Sequence, residues 1–331
     1  MKRLISLIVK TYYHILPNDP HLFIKKTTSR ALQIQFEAFT NQNSTNQKCY
    51  LDQLWNLPTP LKILRSQHKD GYWSYRGKRT SSIDYDLLET YKVLRDLIEK
   101  YMFNKKHSAI ELASNFLFSK QSDLGDFRGI YGTQFSPNYT GAILELLIKA
   151  GYAQRPEVEK GLQWLLNYRT DDGGWAIAMR TQEMKWDDYI QTDPIIELNR
   201  SKPFSHTITG MTMRAFAMHP KYNSNPLVHA IGELLISRIF KPDVYSDRRS
   251  KAYWTKFTWP FWFSDLMSVL DSLSRLNFDP SSSQIKKGFD WFSTNQNSDG
   301  GWTFQILRNK DKQTCFWLAF ELCRILKRFY H

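Results

Sequence analysis

Hydrophobic residues recur at intervals of three and four along most of the chain, which is the spacing of an α-helix. Over residues 84–100, one such stripe contains Tyr91, Leu94 and Ile98. Residues 157–168 carry another stripe, with charged side chains on the opposite face. Few stretches show the alternation with a period of two that marks a β-strand. The pattern therefore predicts an all-α protein.

The predicted helices are of two kinds. Those of the first kind are apolar nearly all round, which is typical of a helix buried on every side. They cover residues 139–150, 207–218, 261–276 and 315–326. Those of the second kind are amphipathic and lie around residues 57–67, 109–120, 157–168 and 283–295. Because the two kinds alternate, we expect an inner ring of buried helices inside an outer ring of amphipathic ones, as in an α/α barrel, or toroid.

A short phrase of the form Q-x3-G-x-W connects amphipathic helices to apolar ones. It occurs in full at residues 67–73 and 296–302. Two weaker copies carry Phe127 in place of the tryptophan and Arg169 in place of the glutamine. The period of roughly 50 residues indicates stacked, similar units that share one core.

Each part of the phrase suits a structural role. A glycine just beyond a helix end adopts the left-handed conformation that stops the helix. The glutamine side chain can hydrogen-bond the turn, and the tryptophan packs across to the next unit while its indole N–H needs a partner. We therefore interpret Trp73, Trp175 and Trp302 as structural staples and not as contacts to a substrate.

Further units complete the ring. A degenerate unit lies before the last phrase, with a helix over residues 231–240 and Trp254 at its turn. Another helix pair across residues 27–41 would bring the number of pairs to five or six. The sequence thus predicts an (α/α)5–6 barrel with inner and outer helix rings, built by residues 1–331 as a single domain.

Two segments lie outside these helix pairs. Residues 1–26 form an N-terminal amphipathic segment whose apolar run is too short for a signal peptide. It is expected either to pack on the barrel or to lie on a membrane surface. Residues 180–203 are long and polar, which predicts a loop over one mouth of the barrel.

Charge and composition restrict the partners. The formal net charge of +13 favours anionic partners such as acidic lipid surfaces or diphosphates. The basic residues are dispersed and no nucleic-acid-binding motif occurs, so nucleic acid is not expected. No run of about 18 apolar residues could span a membrane. Three cysteines without C-x-x-C spacing suit a reducing cytoplasm. We predict a cytoplasmic protein, with peripheral attachment to an anionic membrane as an alternative and its oligomeric state open.

The Q-x3-G-x-W phrases between paired helices resemble the QW repeats of squalene–hopene cyclases, other class II terpene cyclases and the β subunits of protein prenyltransferases. The resemblance covers residues 50–330 and implies the α/α-toroid fold in a single-toroid member. It also implies a terpenoid-cyclase-like function, that of an isomerase or lyase acting on a polyprenyl substrate. No cofactor is implied. The same toroid hosts different chemistries, so the function depends on the site.

Class II cyclases begin their reaction with a D-x-D-D motif whose middle aspartate protonates an alkene. The nearest match places Asp84 and Asp86 at the head of an inner helix, with Leu87 in the position of the last aspartate. The resemblance thus implies catalytic roles for Asp86 and Asp84. The alternative is structural, because Ser82 or Asp84 can cap the helix and Asp86 favours its N-terminal dipole.

Prenyltransferase β subunits bind zinc through Asp, Cys and His. The start of the helix at His206 resembles their zinc histidine, but no cysteine lies between Cys49 and Cys315 to supply the D-x-C pair. We therefore predict no metal site. His206 would head an inner helix and point toward the barrel mouth, where it could orient or accept a proton; the alternative is a structural histidine.

The fourth inner helix is predicted to begin at Trp259. If helical, Trp259, Trp262 and Asp265 would share one face, and an aspartate among aromatic rings could have a raised pKa and act as an acid. Core packing is the alternative. The candidate substrate contacts are aromatic residues on and beside the predicted inner helices, namely Tyr139, Phe204, Trp259, Trp262 and Trp317.

Three functional hypotheses follow. In the first, a polyprenyl or isoprenoid substrate is bound in an aromatic-lined barrel cavity and cyclised after protonation by Asp86 or Asp265, near His206. Aromatic faces would stabilise the resulting carbocation. In the second, the toroid binds a lipid or a protein without chemistry. In the third, the chain is a prenyltransferase-like subunit.

Overall fold

The computed structural model describes residues 15–41, 47–80, 82–308 and 311–330, and within them the all-α prediction is confirmed. The first part of the predicted N-terminal segment, residues 1–14, lies outside the described residues. The helices are α1 Pro20–Ile24, α2 Arg30–Thr40, α3 Gln47–Trp55, α4 Pro58–Leu64, α5 Tyr85–Tyr101, α6 Ser108–Ser119, α7 Pro137–Leu147, α8 Pro156–Asn167, α9 Ala178–Thr181, α10 Trp186–Gln191, α11 His206–Met218, α12 Pro226–Arg238, α13 Leu266–Arg275, α14 Ser283–Thr294 and α15 Thr314–Tyr330.

The helices form an inner and an outer set, as the alternation of apolar and amphipathic segments predicts. Every residue of α7 is buried, whereas α8 buries only Val158, Gly161, Leu162 and Leu165. The inner set consists of α2, α5, α7, α11, α13 and α15. The outer set consists of α1, α4, α6, α8, α12 and α14. Within the described residues this makes six helix pairs, each with its outer helix first.

The last pair packs against the first, which closes the ring. On α15, the ring of Phe320 meets Phe36 and Phe39 of α2 edge-on, with centroids 6.0 and 5.4 Å apart. Ahead of α15, the Gln313 Oε1 accepts hydrogen bonds from the Thr27 hydroxyl and from the backbone N–H of Ser29, at 2.7 and 3.2 Å. Contacts between residues almost the whole chain apart therefore hold the barrel shut.

The glutamine of the phrase joins one unit to the next wherever it is present. Gln67 Nε2 donates to the carbonyl of Gly71 in its own turn and to that of Ala109 in the first turn of α6, both at 2.8 Å. The same pair of bonds recurs from Gln121 to Gly125 and Glu157, and from Gln296 to Gly300 and Asn18. The glutamine thus binds the start of the following outer helix.

The tryptophan of the phrase points back to its own unit. Its indole N–H donates to a carbonyl ten residues earlier in the preceding outer helix, at 2.7–3.0 Å. The pairs are Trp73 with Ile63, Trp175 with Leu165, and Trp302 with Phe292. Trp254 of the degenerate unit donates to the carbonyl of Lys241, 13 residues earlier and beyond the end of α12, at 2.8 Å. The indole N–H therefore finds its partner in the same unit and not across the interface.

The predicted helix over residues 261–276 is too long at its N-terminus, because α13 begins only at Leu266. Asp265 is its N-cap, and a reciprocal capping box with Ser268 fixes the start of the helix. The segment from Trp259 to Ser264 is therefore a loop, and the helical spacing that would put Trp259, Trp262 and Asp265 on one face does not apply.

Short strands hold this loop in place. The strand β1, Lys256–Phe257, pairs in parallel with β2, Gln305–Ile306, which precedes α15. The predicted mouth loop, residues 180–203, contains the short helix α10, and its Tyr189 is buried against Tyr131 with ring centroids 6.2 Å apart. Among the described residues, no helix is long and apolar enough to cross a membrane.

Candidate functional site

A cavity of about 630 Å³ lies between the inner helix α5 and the loops that precede α13 and α15. Its lining on α5 extends from Tyr85 to Lys100, which at 1.5 Å per residue is about 22 Å of helix length. The opposite side is formed by Tyr139 of α7 and by residues of both loops. We call it the aromatic cavity; its walls include Tyr75, Tyr85, Tyr91, Tyr139, Trp259, Trp262 and Phe263.

The aromatic rings contact one another around the cavity. The ring of Trp262 lies 5.0 Å from that of Tyr139 and 5.5 Å from that of Tyr91. Trp259 stacks on Trp317 at 4.2 Å. Burial raises the pKa of Tyr91 and of Tyr139, so both hydroxyls are neutral. These rings offer π faces to an apolar or cationic species in the cavity.

Three of the five predicted substrate contacts, Tyr139, Trp259 and Trp262, line the aromatic cavity. Trp317 lies directly behind Trp259. Phe204 is not among the residues that line it; its backbone N–H donates to Asp172 Oδ2 at 3.0 Å, next to the third turn phrase. The structure therefore places the first three in the lining of the aromatic cavity and Phe204 outside it.

Arg95 is a cation in this cavity that forms no ion pair with a carboxylate of the described residues. The guanidinium of Arg95 is 5.5 Å from the ring centre of Tyr91 and 5.6 Å from that of Trp262. The two acids that line the cavity pair with lysines that also line it: Glu89 with Lys92 at 3.3 Å, and Asp96 with Lys100 at 3.2 Å. The buried Nε of Arg95 has no hydrogen-bond partner within the described residues. Arg95 is thus available to a ligand with an anionic group.

The acidic pair of the truncated D-x-D-D motif is engaged in structural contacts. Asp84 caps α5 by accepting from the Leu87 N–H at 2.9 Å, and Lys120 pairs with it at 2.8 Å. Asp86 accepts from Arg79 and from the Tyr75 N–H. The hydrogen bond from Arg79 holds the pKa of Asp86 below its usual range. Because a proton donor needs the opposite shift, the geometry does not support Asp86 as the acid. Asp84 is engaged as the helix cap.

Asp265 is the carboxyl group of the predicted set with a raised pKa. It is fully buried, and this burial raises its pKa to about 7, although hydrogen bonds from Ser268 oppose the shift. Its Oδ2 accepts from the backbone N–H of Thr258 at 3.3 Å. Thr258 lines the aromatic cavity, so Asp265 lies immediately behind the cavity wall. The raised pKa favours the protonated form of this carboxyl group.

His206 occupies a separate environment. It begins α11, stacks on Trp254 at 4.8 Å, and has its Nδ1 3.5 Å from Asp243 Oδ2. Burial lowers its pKa to about 4, although Asp243 opposes the shift. Asp86, His206 and Asp265 all lie at N-terminal ends of inner helices, but the residues lining the aromatic cavity include none of them. The expected convergence of the three groups on one cavity does not occur.

Buried ion pairs fix the loop that forms one wall of the cavity. Glu145 of α7 accepts from Arg214 Nε at 2.8 Å and from Lys149 at 2.7 Å. Arg214 also donates to the Trp262 carbonyl at 3.1 Å, which fixes the loop that carries Trp262. Burial raises the pKa of Glu145, but the attraction of Arg214 and Lys149 outweighs it and lowers the pKa below the usual range. These charges therefore position the aromatic wall.

The sequence contains signals for the groups that the prediction missed. Arg95 follows Tyr91 by four residues on α5, so the two side chains share one helix face. Arg214 and Glu145 are isolated charges within otherwise apolar helices. An isolated charge in a buried helix must find a partner, and its presence is a signal for a buried pair or a site. No cluster of three or more potential metal ligands occurs in the described part of the chain.

No protein-family model and no curated protein matches the chain. Among solved structures, a variant of the type II terpene cyclase MstE from Scytonema in complex with geranylgeranyl dihydroxybenzoate is 12% identical with a TM-score of 0.39, covering 86% of this chain and 99% of that chain. The apo form of MstE is 12% identical with a TM-score of 0.34 and coverages of 84% and 98%. A protein from Actinoplanes is 15% identical with a TM-score of 0.31 and coverages of 82% and 97%. These values are too low to support an inference about activity.

Proposed function

We propose that the protein binds a polyprenyl ligand in the aromatic cavity and cyclises it in a reaction that starts by protonation of a double bond. The observation that carries the proposal is the aromatic cavity itself, about 630 Å³ in volume and walled by Tyr91, Tyr139, Trp259 and Trp262. Its size lies within the range of roughly 300–1,000 Å³ that is usual for small-molecule sites. The resemblance of the turn phrases to QW repeats agrees with it.

The shape and charge of the cavity favour an elongated ligand with an anionic head. The cavity follows α5 over several turns, and its apolar rings suit an isoprenoid chain. Arg95 would bind the anionic group through charge-assisted hydrogen bonds, which are stronger than neutral ones. A prenyl diphosphate combines both features, whereas squalene has only the chain.

The proposed proton donor is Asp265. Its carboxyl O–H would transfer the proton to an alkene carbon of a ligand on the cavity side of Thr258. The transfer would leave a carboxylate on the enzyme and a carbocation on the ligand. The rings of Tyr139 and Trp262 would stabilise the cation during ring closure. Loss of a proton from the cyclised cation to the Asp265 carboxylate would restore the enzyme, so that the net reaction is an isomerisation.

A second candidate is a toroid that binds the same ligand without chemistry. It is favoured by the position of Asp265, which is 0% exposed and serves as a helix cap. Both candidates share the cavity and differ only in whether Asp265 reaches the ligand.

The experiment separates binding from turnover. Wild type is titrated with farnesyl and geranylgeranyl diphosphate and with squalene, and the incubated mixtures are analysed for cyclic products by mass spectrometry. Trp262→Ala should weaken binding at least tenfold, while Trp164→Ala on the outer helix α8 should not. Products from wild type and none from Asp265→Asn would support the cyclase; binding with no product would support the second candidate. Absence of binding by all three ligands would overturn both.

The positive charge beside the cavity supports an anionic membrane surface as a docking partner. Arg248 lies 3.3 Å from the ring centre of Phe263, a cavity-lining residue, and Arg249 and Lys251 next to it are exposed. Acidic lipids attract such clusters by about 1 kcal/mol per residue. Sedimentation with phosphatidylserine vesicles should capture wild type, and capture should fall in Arg249→Gln/Lys251→Gln. Equal capture of both by phosphatidylcholine vesicles would contradict docking through this cluster.

A further inference from the structure

A second, smaller chamber lies beneath the aromatic cavity, toward the C-terminal ends of the inner helices. It has a volume of about 270 Å³. Its lining includes charged side chains from three inner helices and from the turn that follows α7: Glu99, Lys149, Asp271, Arg275, Glu321 and Arg324. We call it the charged chamber. Charged side chains line both spaces, but seven aromatic side chains line the aromatic cavity and three line the charged chamber.

Trp259 lines both spaces. It is 5% exposed, and its indole stacks on Trp317 with centroids 4.2 Å apart and planes within 12° of parallel. Lys100 Nζ lies 5.9 Å from the ring centre of Trp259. The indole is thus held by contacts with residues of α15 and α5 at the boundary between the two spaces.

The charges of the lower chamber are mutually paired. Lys149 binds Glu99 at 2.6 Å, Arg275 binds Asp271 at 2.9 Å, and Arg324 binds Glu321 at 3.0 Å. Paired charges do not require a ligand of their own. The remaining lining includes apolar side chains such as Ile98, Met218 and Phe261, which a longer apolar chain could contact.

We propose that Trp259 is a partition that ends the aromatic cavity and thereby sets the greatest length of isoprenoid chain that the protein accepts. This inference rests on the proposed function, because it concerns the ligand of the same cavity. Removing the indole would join the aromatic cavity to the charged chamber. A chain longer by one isoprene unit would then extend past the position of the ring.

The test is a calorimetric titration of the full chain with geranyl, farnesyl, geranylgeranyl and geranylfarnesyl diphosphate. In wild type, affinity should rise with chain length and then fall sharply at the length that meets Trp259. In Trp259→Ala, the preferred chain should be one isoprene unit longer, and the affinity ratio of the longer to the shorter ligand should rise at least tenfold. Trp164→Ala, the same change outside both spaces, should leave the ratio unchanged.

Two further variants keep the test decisive. Trp259→Phe retains a ring and should shift the ratio less than Trp259→Ala. Trp259→Leu replaces the alanine variant if the latter does not fold, which circular dichroism shows. Unchanged ratios in the folded variants, with normal binding by wild type, would overturn the partition and leave the proposed function intact. Absence of binding of any chain length by wild type would overturn the proposed function and the partition together.

Discussion

Arg79 clamps Asp86 with both of its terminal nitrogens: Nη2 lies 2.6 Å from Oδ1 and Nη1 lies 3.1 Å from Oδ2. This contact explains why the carboxylate most similar to the catalytic aspartate of class II cyclases has a lowered pKa. The side chain that would have to hold a proton is instead kept ionised. The motif therefore stabilises the start of α5.

Asp86→Asn should lower stability at neutral pH by about 0.2–1 kcal/mol, as is usual for a partly exposed ion pair. A carboxyl group with a depressed folded-state pKa stabilises above its unfolded pKa of about 3.9 and loses that contribution as the pH falls through the folded value. Below about pH 4, wild type should therefore lose its advantage over the variant in urea unfolding. If the free energies of unfolding of wild type and Asp86→Asn differ by the same amount at every pH, the ion pair does not stabilise the fold. Product formation, if wild type shows any, should persist in this variant.

Two turn glycines share a backbone conformation but differ in the space around them. Gly71 and Gly173 both have positive φ, 92° and 95°. A Cβ on Gly71 would lie 2.3 Å from the Leu112 carbonyl oxygen, whereas on Gly173 the nearest contact is 3.5 Å. Backbone strain costs each alanine variant about 1–3 kcal/mol. Gly71→Ala should lose roughly a further 1–3 kcal/mol to the clash. Equal midpoints for the two variants in urea unfolding would refute the close packing of units at this turn.

The buried ion pair of Arg214 and Glu145 is expected to contribute to the stability of the fold. Arg214→Leu removes one partner and leaves Glu145 with Lys149 alone, which should destabilise the protein by roughly 3–5 kcal/mol. The double variant Arg214→Leu/Glu145→Leu has no orphaned carboxylate and should lose much less than the sum of the single variants. Free energies of unfolding from urea titration of all four proteins give the coupling. Additive losses would show that the two side chains do not interact.

The fold was predictable because its signals are local and repeated. Apolar spacing marks the inner helices, and the glycine at each turn needs a conformation that other residues adopt at a cost. The site was harder to predict because it depends on contacts between distant residues. Arg79 and Asp86 are close in sequence, but nothing in the pattern shows that their side chains meet. The loop from Trp259 to Ser264 has the apolar composition of the helix that it precedes, so composition alone predicts helix there, and only the Asp265–Ser268 capping box marks the true start of α13.

Asp265 should make stability depend on pH in the opposite sense to Asp86. A carboxyl group whose folded pKa is raised contributes stability below its unfolded pKa, and this contribution is lost as the pH rises through the folded value of about 7. Asparagine is also a good N-cap, so Asp265→Asn keeps the capping interaction without the titration. From about pH 4 to about pH 7, wild type should lose up to roughly 4 kcal/mol relative to the variant. Parallel stability profiles would show that Asp265 is ionised throughout, and would remove it as a proton donor.

The Arg95→Gln variant tests whether the ligand has an anionic head group. The side chain of Arg95 lies between Tyr91 and Trp262 and forms no ion pair with a carboxylate of the described residues, so Arg95→Gln removes a charge that an anionic head group would contact. A hydrogen bond to a charged group is worth about 1.5–3 kcal/mol, and each 1.4 kcal/mol is about tenfold in affinity. Arg95→Gln should therefore weaken farnesyl diphosphate binding by tenfold or more and leave farnesol binding nearly unchanged. Lys286→Gln, on the outer helix α14, controls for net charge and should affect neither ligand. An equal loss for both ligands in Arg95→Gln would mean that Arg95 shapes the cavity and does not bind the head group.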